Sequence, residues 1–144
     1  MKILVTGGAG FIGSTVIRKA IMNGHCIINV DSLTYAACLK NLEDVSNNNQ
    51  YFFEKIDIRD SKAISEVLNK YEPDAIMNLA AESHVDRSID GPCDFIQTNI
   101  VGTYNLLEAL RLYNKNIQAI IVASSDKAYG SYDKSEMPYK EDYP

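Results

Sequence analysis

Several residue types and patterns are scarce in this chain of 144 residues, and each scarcity excludes a class of protein. Tryptophan is absent, and the three cysteines, Cys26, Cys38 and Cys93, show no Cys-x-x-Cys spacing and no clustered histidine. Scattered thiols of this kind predict a reduced, cytoplasmic protein without a metal site. No apolar run approaches the ~18 residues that cross a bilayer. Because Met1 and Lys2 lead directly into the first predicted strand, we expect neither a signal peptide nor a membrane partner.

Positive charge is also scarce, since 14 Lys and Arg residues stand against 19 Asp and Glu residues, a net charge of −5. No basic cluster is present that would neutralise a row of phosphates, so the sequence does not predict a nucleic-acid partner. Any anionic ligand must therefore be held by backbone amides and by local side chains.

Strand and helix patterns alternate along the chain, which predicts an α/β protein with a mostly parallel sheet. The predicted strands are Lys2–Thr6, Cys26–Val30, Tyr51–Lys55, Ala75–Leu79 and Gln118–Ala123. The predicted helices are Phe11–Met22, a weaker one over Thr34–Val45, Ser61–Tyr71 and a long one over Cys93–Tyr113. We expect residues 1–144 to form the amino-terminal, incomplete part of one doubly wound Rossmann domain, with strand order 3-2-1-4-5.

The long helix carries two features that predict packing. Ile96, Ile100, Tyr104 and Leu107 form an apolar stripe at helical spacing. Gly102 lies inside the same helix, where glycine costs ~1 kcal/mol relative to alanine, so we expect close packing there.

The most informative local pattern is Gly7, Gly10 and Gly13, which stand between a predicted strand and a predicted helix. This spacing is typical of a turn that seats the pyrophosphate of a dinucleotide. Asp31 ends the next strand, where a carboxylate binds the adenosine ribose hydroxyls and repels a 2′-phosphate, so NAD is favoured over NADP. The alternatives are a glycine turn without a ligand and an aspartate that caps the following helix.

Six segments carry a resemblance to a known family: TGGAGFIGS (6–14), VDSLTYA (30–36), DIRD (57–60), PDAIMNLAAESHVDRSIDGP (73–92), FIQTNIVGTYNLLEA (95–109) and SSDKAYG (124–130). With these segments the chain resembles the extended short-chain dehydrogenases/reductases, the NAD-dependent epimerase/dehydratase family. Within that family it is similar to the dTDP-glucose 4,6-dehydratases. The resemblance implies an NAD cofactor, a nucleotide-sugar substrate and a place in deoxysugar synthesis for polysaccharide.

The resemblance also implies which residues contact NAD. Asp57 and Ile58 are expected to contact the adenine, although Asp57 reads equally well as a helix cap. Asn99 is expected to anchor backbone and water near the catalytic centre. The full implied set is Gly7, Gly10, Phe11, Ile12, Gly13, Asp31, Ser32, Leu33, Thr34, Asp57, Ile58, Leu79, Ala80, Ala81, Ser83 and Asn99.

A polar loop after the fourth strand is expected to line the sugar-nucleotide site through Ser83, His84, Asp86 and Arg87. The alternative for this segment is a solvated loop.

The residues after the fifth strand carry the catalytic hypothesis. By resemblance Ser125 hydrogen-bonds the sugar C4 hydroxyl, Asp126 protonates the departing C6 hydroxyl, and Lys127 replaces the family's usual Glu as the base at C5. A lysine acts as a base only where its pKa is lowered. The Asp-Lys pair resembles the CDP-glucose and UDP-N-acetylglucosamine 4,6-dehydratases, so the preferred nucleotide stays open. A polar loop after an edge strand is the alternative.

The family's Tyr-x-x-x-Lys pair belongs on a helix after the fifth strand, and the 144 residues do not contain it there. The pair Tyr51 and Lys55 has this spacing but falls on the third strand, so we regard it as coincidence. We therefore expect weak NAD binding and no turnover. The alternatives are a non-catalytic dinucleotide-binding remnant of a truncated gene and an epimerase of the same superfamily. The resemblance further implies a homodimer through helix 93–113.

Overall fold

Five parallel strands form the sheet of this computed structural model, which describes residues 1–125. The strand order is β3-β2-β1-β4-β5, as the sequence predicts. Each strand is parallel to its neighbour, with Leu4 of β1 level with Ile28 of β2 and Ile76 of β4. The strands are β1 (Lys2–Thr6), β2 (Cys26–Val30), β3 (Tyr51–Glu54), β4 (Ala75–Asn78) and β5 (Ala119–Val122).

The helices cover both faces of the sheet. They are α1 (Phe11–Met22), α2 (Ser61–Tyr71), α3 (Val85–Asp90), α4 (Pro92–Phe95) and α5 (Thr103–Leu112), with a π-helical segment (Ile96–Gly102) between α4 and α5. The junction residues Ile96 and Thr103 keep right-handed helical dihedrals, so α4, the π-helical segment and α5 follow one another without a break. No helix within residues 1–125 is long and apolar enough to cross a membrane.

The prediction of a helix over Thr34–Val45 is wrong. The segment contains turns and a short 3₁₀ helix, Leu39–Leu42. The Asp31 carboxylate accepts a hydrogen bond from the Leu33 N–H at 2.8 Å, and Leu33 has a φ of 58°. A side-chain hydrogen bond of this kind offers the backbone an alternative to the helix, and a left-handed residue cannot continue into one.

Apolar residues pack on both faces of the sheet, because alternate residues of each strand point to opposite sides. On one face α2 and α5 cover the sheet, and on the other α1 and the 3₁₀ helix do. The first cluster includes Leu4, Ile28, Ile76, Ile64, Leu68, Leu106 and Leu110. The second cluster includes Val5, Ile17, Ile21, Ile27, Leu42 and Val45. Strands buried on both faces are typical of a doubly wound sheet.

Gly102 packs closely, as predicted, since a Cβ atom there would lie 2.7 Å from Cδ1 of Ile58. This contact turns Leu106 and Leu110 of α5 toward the sheet, where both are buried.

The predicted apolar stripe of the long helix is exposed instead, with Ile100 at 63% and Tyr104 at 62% of full exposure. The physical reason is that Gly102, Leu106, Ala109 and Leu110 are the buried residues of these segments, so the stripe lies on the side that faces away from the sheet.

We expect the core position Leu106 to dominate the stability contributed by α5. Leu106→Ala should lower the free energy of unfolding by about 2–5 kcal/mol, because it leaves a cavity between α5 and the sheet. Leu112→Ala, at an exposed position of the same helix, should change it by less than about 0.5 kcal/mol. Urea unfolding of both variants measures the difference, and equal losses would contradict this packing.

Candidate active site

A tight turn joins β1 to α1 and brings two backbone segments into contact. Gly7 has a φ of +69°, and a Cβ atom on it would lie 2.7 Å from the Ala80 nitrogen. The Gly7 N–H donates to the Val30 carbonyl at 2.9 Å, which fixes the turn to the end of β2. Only glycine combines this dihedral with this close approach.

The start of α1 faces the same turn. Gly10 is the N-cap and supplies no side chain to bond the N–H groups of the first turn. A Cβ atom on Gly13 would lie 2.2 Å from the Gly7 carbonyl oxygen, so helix and turn are in direct contact. Phe11 and Ile12 are exposed at this end. Because the first N–H groups of a helix have no intrahelical partner, this end of α1 suits an anion.

Asp31 ends β2 and is 8% exposed. One carboxylate oxygen accepts from the Ala9 N–H at 2.9 Å, and the other accepts from the Leu33 N–H at 2.8 Å. The carboxylate thus holds the glycine turn, which differs from the helix cap considered as the alternative. Each oxygen keeps a second lone pair, so the side chain can still accept hydrogen bonds from a ligand.

A cleft of about 280 Å³ opens at the carboxyl ends of the strands, where ligands bind in open α/β sheets. It brings together many of the predicted cofactor residues and one predicted substrate residue. These are Gly7, Gly10, Asp31, Ser32, Thr34, Asp57, Ile58, Leu79, Ala80 and Ala81, together with Arg87.

Asp57 forms one wall of the cleft with Arg59. The Arg59 Nε atom donates to both carboxylate oxygens of Asp57, at 3.0 and 2.9 Å, and Nη2 donates to Oδ2 at 2.7 Å. Burial alone would raise the pKa of Asp57, but the hydrogen bonds and charge of Arg59 outweigh it and lower that pKa. Contact of Asp57 and Ile58 with an adenine stays a prediction.

Three side chains from different elements meet over the cleft. The Arg87 guanidinium of α3 lies 3.9 Å from the ring centre of Tyr35, and the Tyr35 hydroxyl donates to Oε2 of Glu82 at 3.1 Å. Partial desolvation and the hydrogen bond to Glu82 raise the pKa of Tyr35. The contacts join the segment after β2 to the segment after β4, so together they bridge the mouth of the cleft.

Asn99 lies on the π-helical segment and clamps the backbone of Glu82. Its Oδ1 atom accepts from the Glu82 N–H and its Nδ2 atom donates to the Glu82 carbonyl, both at 2.8 Å. The Asn99 amide therefore pairs with both backbone groups of Glu82, as a residue on a neighbouring β-strand would. This position supports the anchoring of backbone that the sequence predicts for Asn99, but Asn99 does not line the cleft.

The remaining predicted site residues lie elsewhere. Ser83 and His84 are exposed after β4, and Asp86 lies with Arg87 on α3, so the prediction of a loop through Arg87 is wrong. The reason is the length of α3, whose six residues are too few to show a clear period. Leu33 lies in the turn after β2, and Ser125 is exposed beyond β5. Asp126 and Lys127 lie outside the described residues.

Sequence reasoning missed several residues of the cleft. Tyr35, Arg59 and Glu82 line it, and so do Asp94 of α4 and Thr98 of the π-helical segment. Tyr35, Arg59 and Glu82 directly follow or precede predicted site residues, which was the available signal. Asp94 and Thr98 reach the cleft from the long helix, and no local pattern indicates that.

Neither residue of the pair Tyr51 and Lys55 lines the cleft. Tyr51 lies on β3, away from the cleft, and its hydroxyl accepts from Nδ2 of Asn29 at 2.9 Å. Burial raises the pKa of Tyr51. Within residues 1–125 no group of His, Cys, Asp and Glu side chains could hold a metal ion.

The sequence matches a known protein family and several of its members. The sequence model of the family described as GDP-mannose 4,6 dehydratase matches residues 4–144. A dTDP-glucose 4,6-dehydratase of Salmonella typhimurium is 54% identical over 138 residues, which are 90% of this chain and 38% of that protein. A dTDP-glucose 4,6-dehydratase of Haemophilus influenzae is 50% identical over 100% of this chain and 45% of its own length. The chain thus spans less than half the length of these relatives.

A solved structure shares the same architecture. The dTDP-glucose 4,6-dehydratase DesIV of Streptomyces venezuelae, with NAD and TYD bound, superposes with a TM-score of 0.89 at 39% identity. The superposition covers 100% of this chain and 45% of DesIV.

The Asn99 clamp should be measurable in the folded protein. Asn99→Asp replaces the donor with an oxygen that faces the Glu82 carbonyl, so we expect a loss of about 1 kcal/mol in unfolding free energy and faster hydrogen exchange at the Glu82 amide. Gln97→Glu makes the same charge change at an exposed position of the same segment and should leave both quantities unchanged. Unaltered exchange in Asn99→Asp would contradict the clamp.

Proposed function

The chain belongs to the GDP-mannose 4,6 dehydratase family, and from that premise we propose that it forms the NAD-binding part of a nucleotide-sugar 4,6-dehydratase. One observation carries the proposal. The glycine turn, the uncapped start of α1 and the Asp31 carboxylate meet at one cleft, which is the arrangement that binds a dinucleotide.

The residues present fit NAD. The turn at Gly7 has no Cβ atom to keep a diphosphate from the backbone, and α1 offers it unpaired N–H groups. Asp31 keeps lone pairs for the ribose hydroxyls, and its charge disfavours a 2′-phosphate. When bound, NAD⁺ would supply a reversible hydride acceptor. The relative DesIV, crystallised with NAD, supports the same cofactor here.

We propose a dTDP-linked hexose as the substrate, because the dTDP-glucose 4,6-dehydratases are among the most similar relatives. In the proposed reaction the sugar is oxidised at C4, loses water across C5 and C6 and receives hydride at C6. Ser125 would hold the C4 hydroxyl, Asp126 would protonate the leaving C6 hydroxyl, and Lys127 would take the C5 proton. Ser83, His84, Asp86 and Arg87 would bind the nucleotide sugar.

An epimerase is the second candidate. A UDP-glucose 4-epimerase of Thermus thermophilus, in complex with NAD, superposes with a TM-score of 0.85 at 29% identity over 100% of this chain and 44% of its own. The epimerase reading predicts a sugar inverted at C4, and the dehydratase reading predicts a 4-keto-6-deoxy sugar. A non-catalytic dinucleotide-binding protein is the third reading, and it predicts neither product.

We also propose a homodimer through helix 93–113. Ile96, Ile100, Tyr104 and Leu107 are all at least 42% exposed and form a continuous apolar stripe. Exposed apolar stripes of this kind are typical of protein interfaces. A cytoplasmic location completes the proposal, and it is supported by the free thiols of Cys26, Cys38 and Cys93.

Calorimetric titration of the 144-residue chain tests the cofactor assignment. We expect weak, saturable binding of NAD⁺ and at least tenfold weaker binding of NADP⁺. Gly10→Val should abolish binding, because its side chain enters the cleft while its Cβ atom comes no closer than 3.2 Å to the Gly7 carbonyl. Gly91→Ala, whose Cβ atom would lie 3.7 Å from the nearest carbonyl oxygen, is the matched control.

Incubation with dTDP-glucose and NAD⁺ completes this test, and we expect no turnover by the 144 residues alone. Steady formation of a 4-keto-6-deoxy sugar would contradict that expectation. Absence of NAD⁺ binding at millimolar concentration to well-folded protein would overturn the cofactor assignment itself.

Sedimentation tests the dimer. Ile100→Glu places a charge in the centre of the stripe and should shift the protein from dimer to monomer, because the charge would be buried without a partner. Asn69→Glu introduces the same charge on the exposed side of α2 and should leave the dimer intact. A wild-type chain that stays monomeric at high concentration would refute the dimer.

A further inference from the structure

Three side chains, those of Tyr35, Glu82 and Arg87, form a strap across the mouth of the cleft. The Arg87 guanidinium lies 3.9 Å from the centre of the Tyr35 ring, and the Tyr35 hydroxyl donates to Oε2 of Glu82 at 3.1 Å. All three residues line the cleft, together with Gly7 and Asp31 of the proposed dinucleotide site. The strap joins the segment after β2 to the segment after β4, so a ligand that enters between these segments has to pass it.

The two sides of the strap are held to the fold unequally. Asn99 fixes the backbone of Glu82 through two hydrogen bonds of 2.8 Å. Helix α3, which carries Arg87, has no buried residue. In the part of the chain that the structure describes, the hydrogen bonds of α3 stay within residues 84–91. Segments with few buried contacts open at low cost, so Glu82 is the fixed point of the strap and α3 is the part that can move.

Both links of the strap join protein groups to each other, and neither needs a ligand. They therefore stabilise the closed strap equally in the free and in the ligand-bound protein. An interaction that favours the closed form equally in both states cannot change the binding equilibrium. It slows entry and exit of the ligand by the same factor.

We propose that the strap is a gate on the dinucleotide cleft, closed by Tyr35, and that it sets the rate of ligand exchange and not the affinity. This inference rests on the proposed NAD function. A side chain that acts only by contacting the ligand changes the affinity, mainly through the dissociation rate constant. A gate instead changes both rate constants in the same direction.

Stopped-flow fluorescence of NADH binding to the 144-residue chain tests the gate. Tyr35→Phe removes the hydroxyl that bonds to Glu82 but keeps the ring, so we expect the association and dissociation rate constants both to rise by about threefold to tenfold. The dissociation constant should stay within about twofold of the wild-type value. Arg87→Gln, which removes the stacked cation, should raise both rate constants by about threefold. Glu82→Gln keeps an acceptor oxygen for the hydroxyl and should raise them less than Tyr35→Phe does.

Tyr71→Phe is the matched control. The Tyr71 hydroxyl also donates to a glutamate, at 2.7 Å from Oε1 of Glu54, but neither residue lines the cleft. Both rate constants of this variant should equal those of the wild type. Unchanged rate constants in folded Tyr35→Phe would overturn the gate, and so would a loss of affinity through faster dissociation alone. A wild-type chain that binds no NADH would overturn the proposed function, and the gate with it.

Discussion

The contact between the turn at Gly7 and the backbone of Leu79 and Ala80 is the constraint on which the rest of the site depends. It brings the ends of β1 and β4 together closely enough that a single Cβ atom would separate them. Thr6 secures the same place, since its hydroxyl donates to Oδ1 of Asn78 at 2.5 Å and accepts from the Ala80 N–H at 3.3 Å. Gly7, Leu79 and Ala80 all line the cleft, so this contact forms part of its wall.

The walls of the cleft are joined to each other as well as to the floor. Tyr35 reaches Glu82 across the mouth, and Asn99 holds the Glu82 backbone from the π-helical segment. A displacement of the segment after β2 would therefore also shift Glu82 and, through it, Asn99 of the π-helical segment. Unusual helical hydrogen bonding is frequent at functional sites, and here the π-helical segment carries Thr98 to the cleft and Asn99 to Glu82.

Much of the fold could be predicted from the sequence, because buried strands and the glycine turn have strong local signatures. The strands, their order and α2 with its core residues Ile64 and Leu68 are confirmed. The failures have physical causes that no single segment reveals. The hydrogen bond that the Leu33 N–H donates to the Asp31 carboxylate turns the chain away from a helix. In the long helix Gly102, Leu106 and Leu110 are buried instead of the predicted stripe. The cleft residues found from sequence lie on the strand ends, and Asp94 and Thr98, which arrive through tertiary packing, were missed.

The charges around the cleft determine how a ligand is attracted to it. Four carboxylates line the cleft, those of Asp31, Asp57, Glu82 and Asp94, and two guanidinium groups, those of Arg59 and Arg87. Arg59 is already paired with Asp57. The protein as a whole is acidic, so its long-range field does not draw an anion inward. Capture must then depend on contacts made at hydrogen-bond distance, which dissolved ions screen little. Association with a diphosphate should consequently be slow for a charged ligand and should become faster as the ionic strength rises, because salt screens the repulsion between the two negative charges.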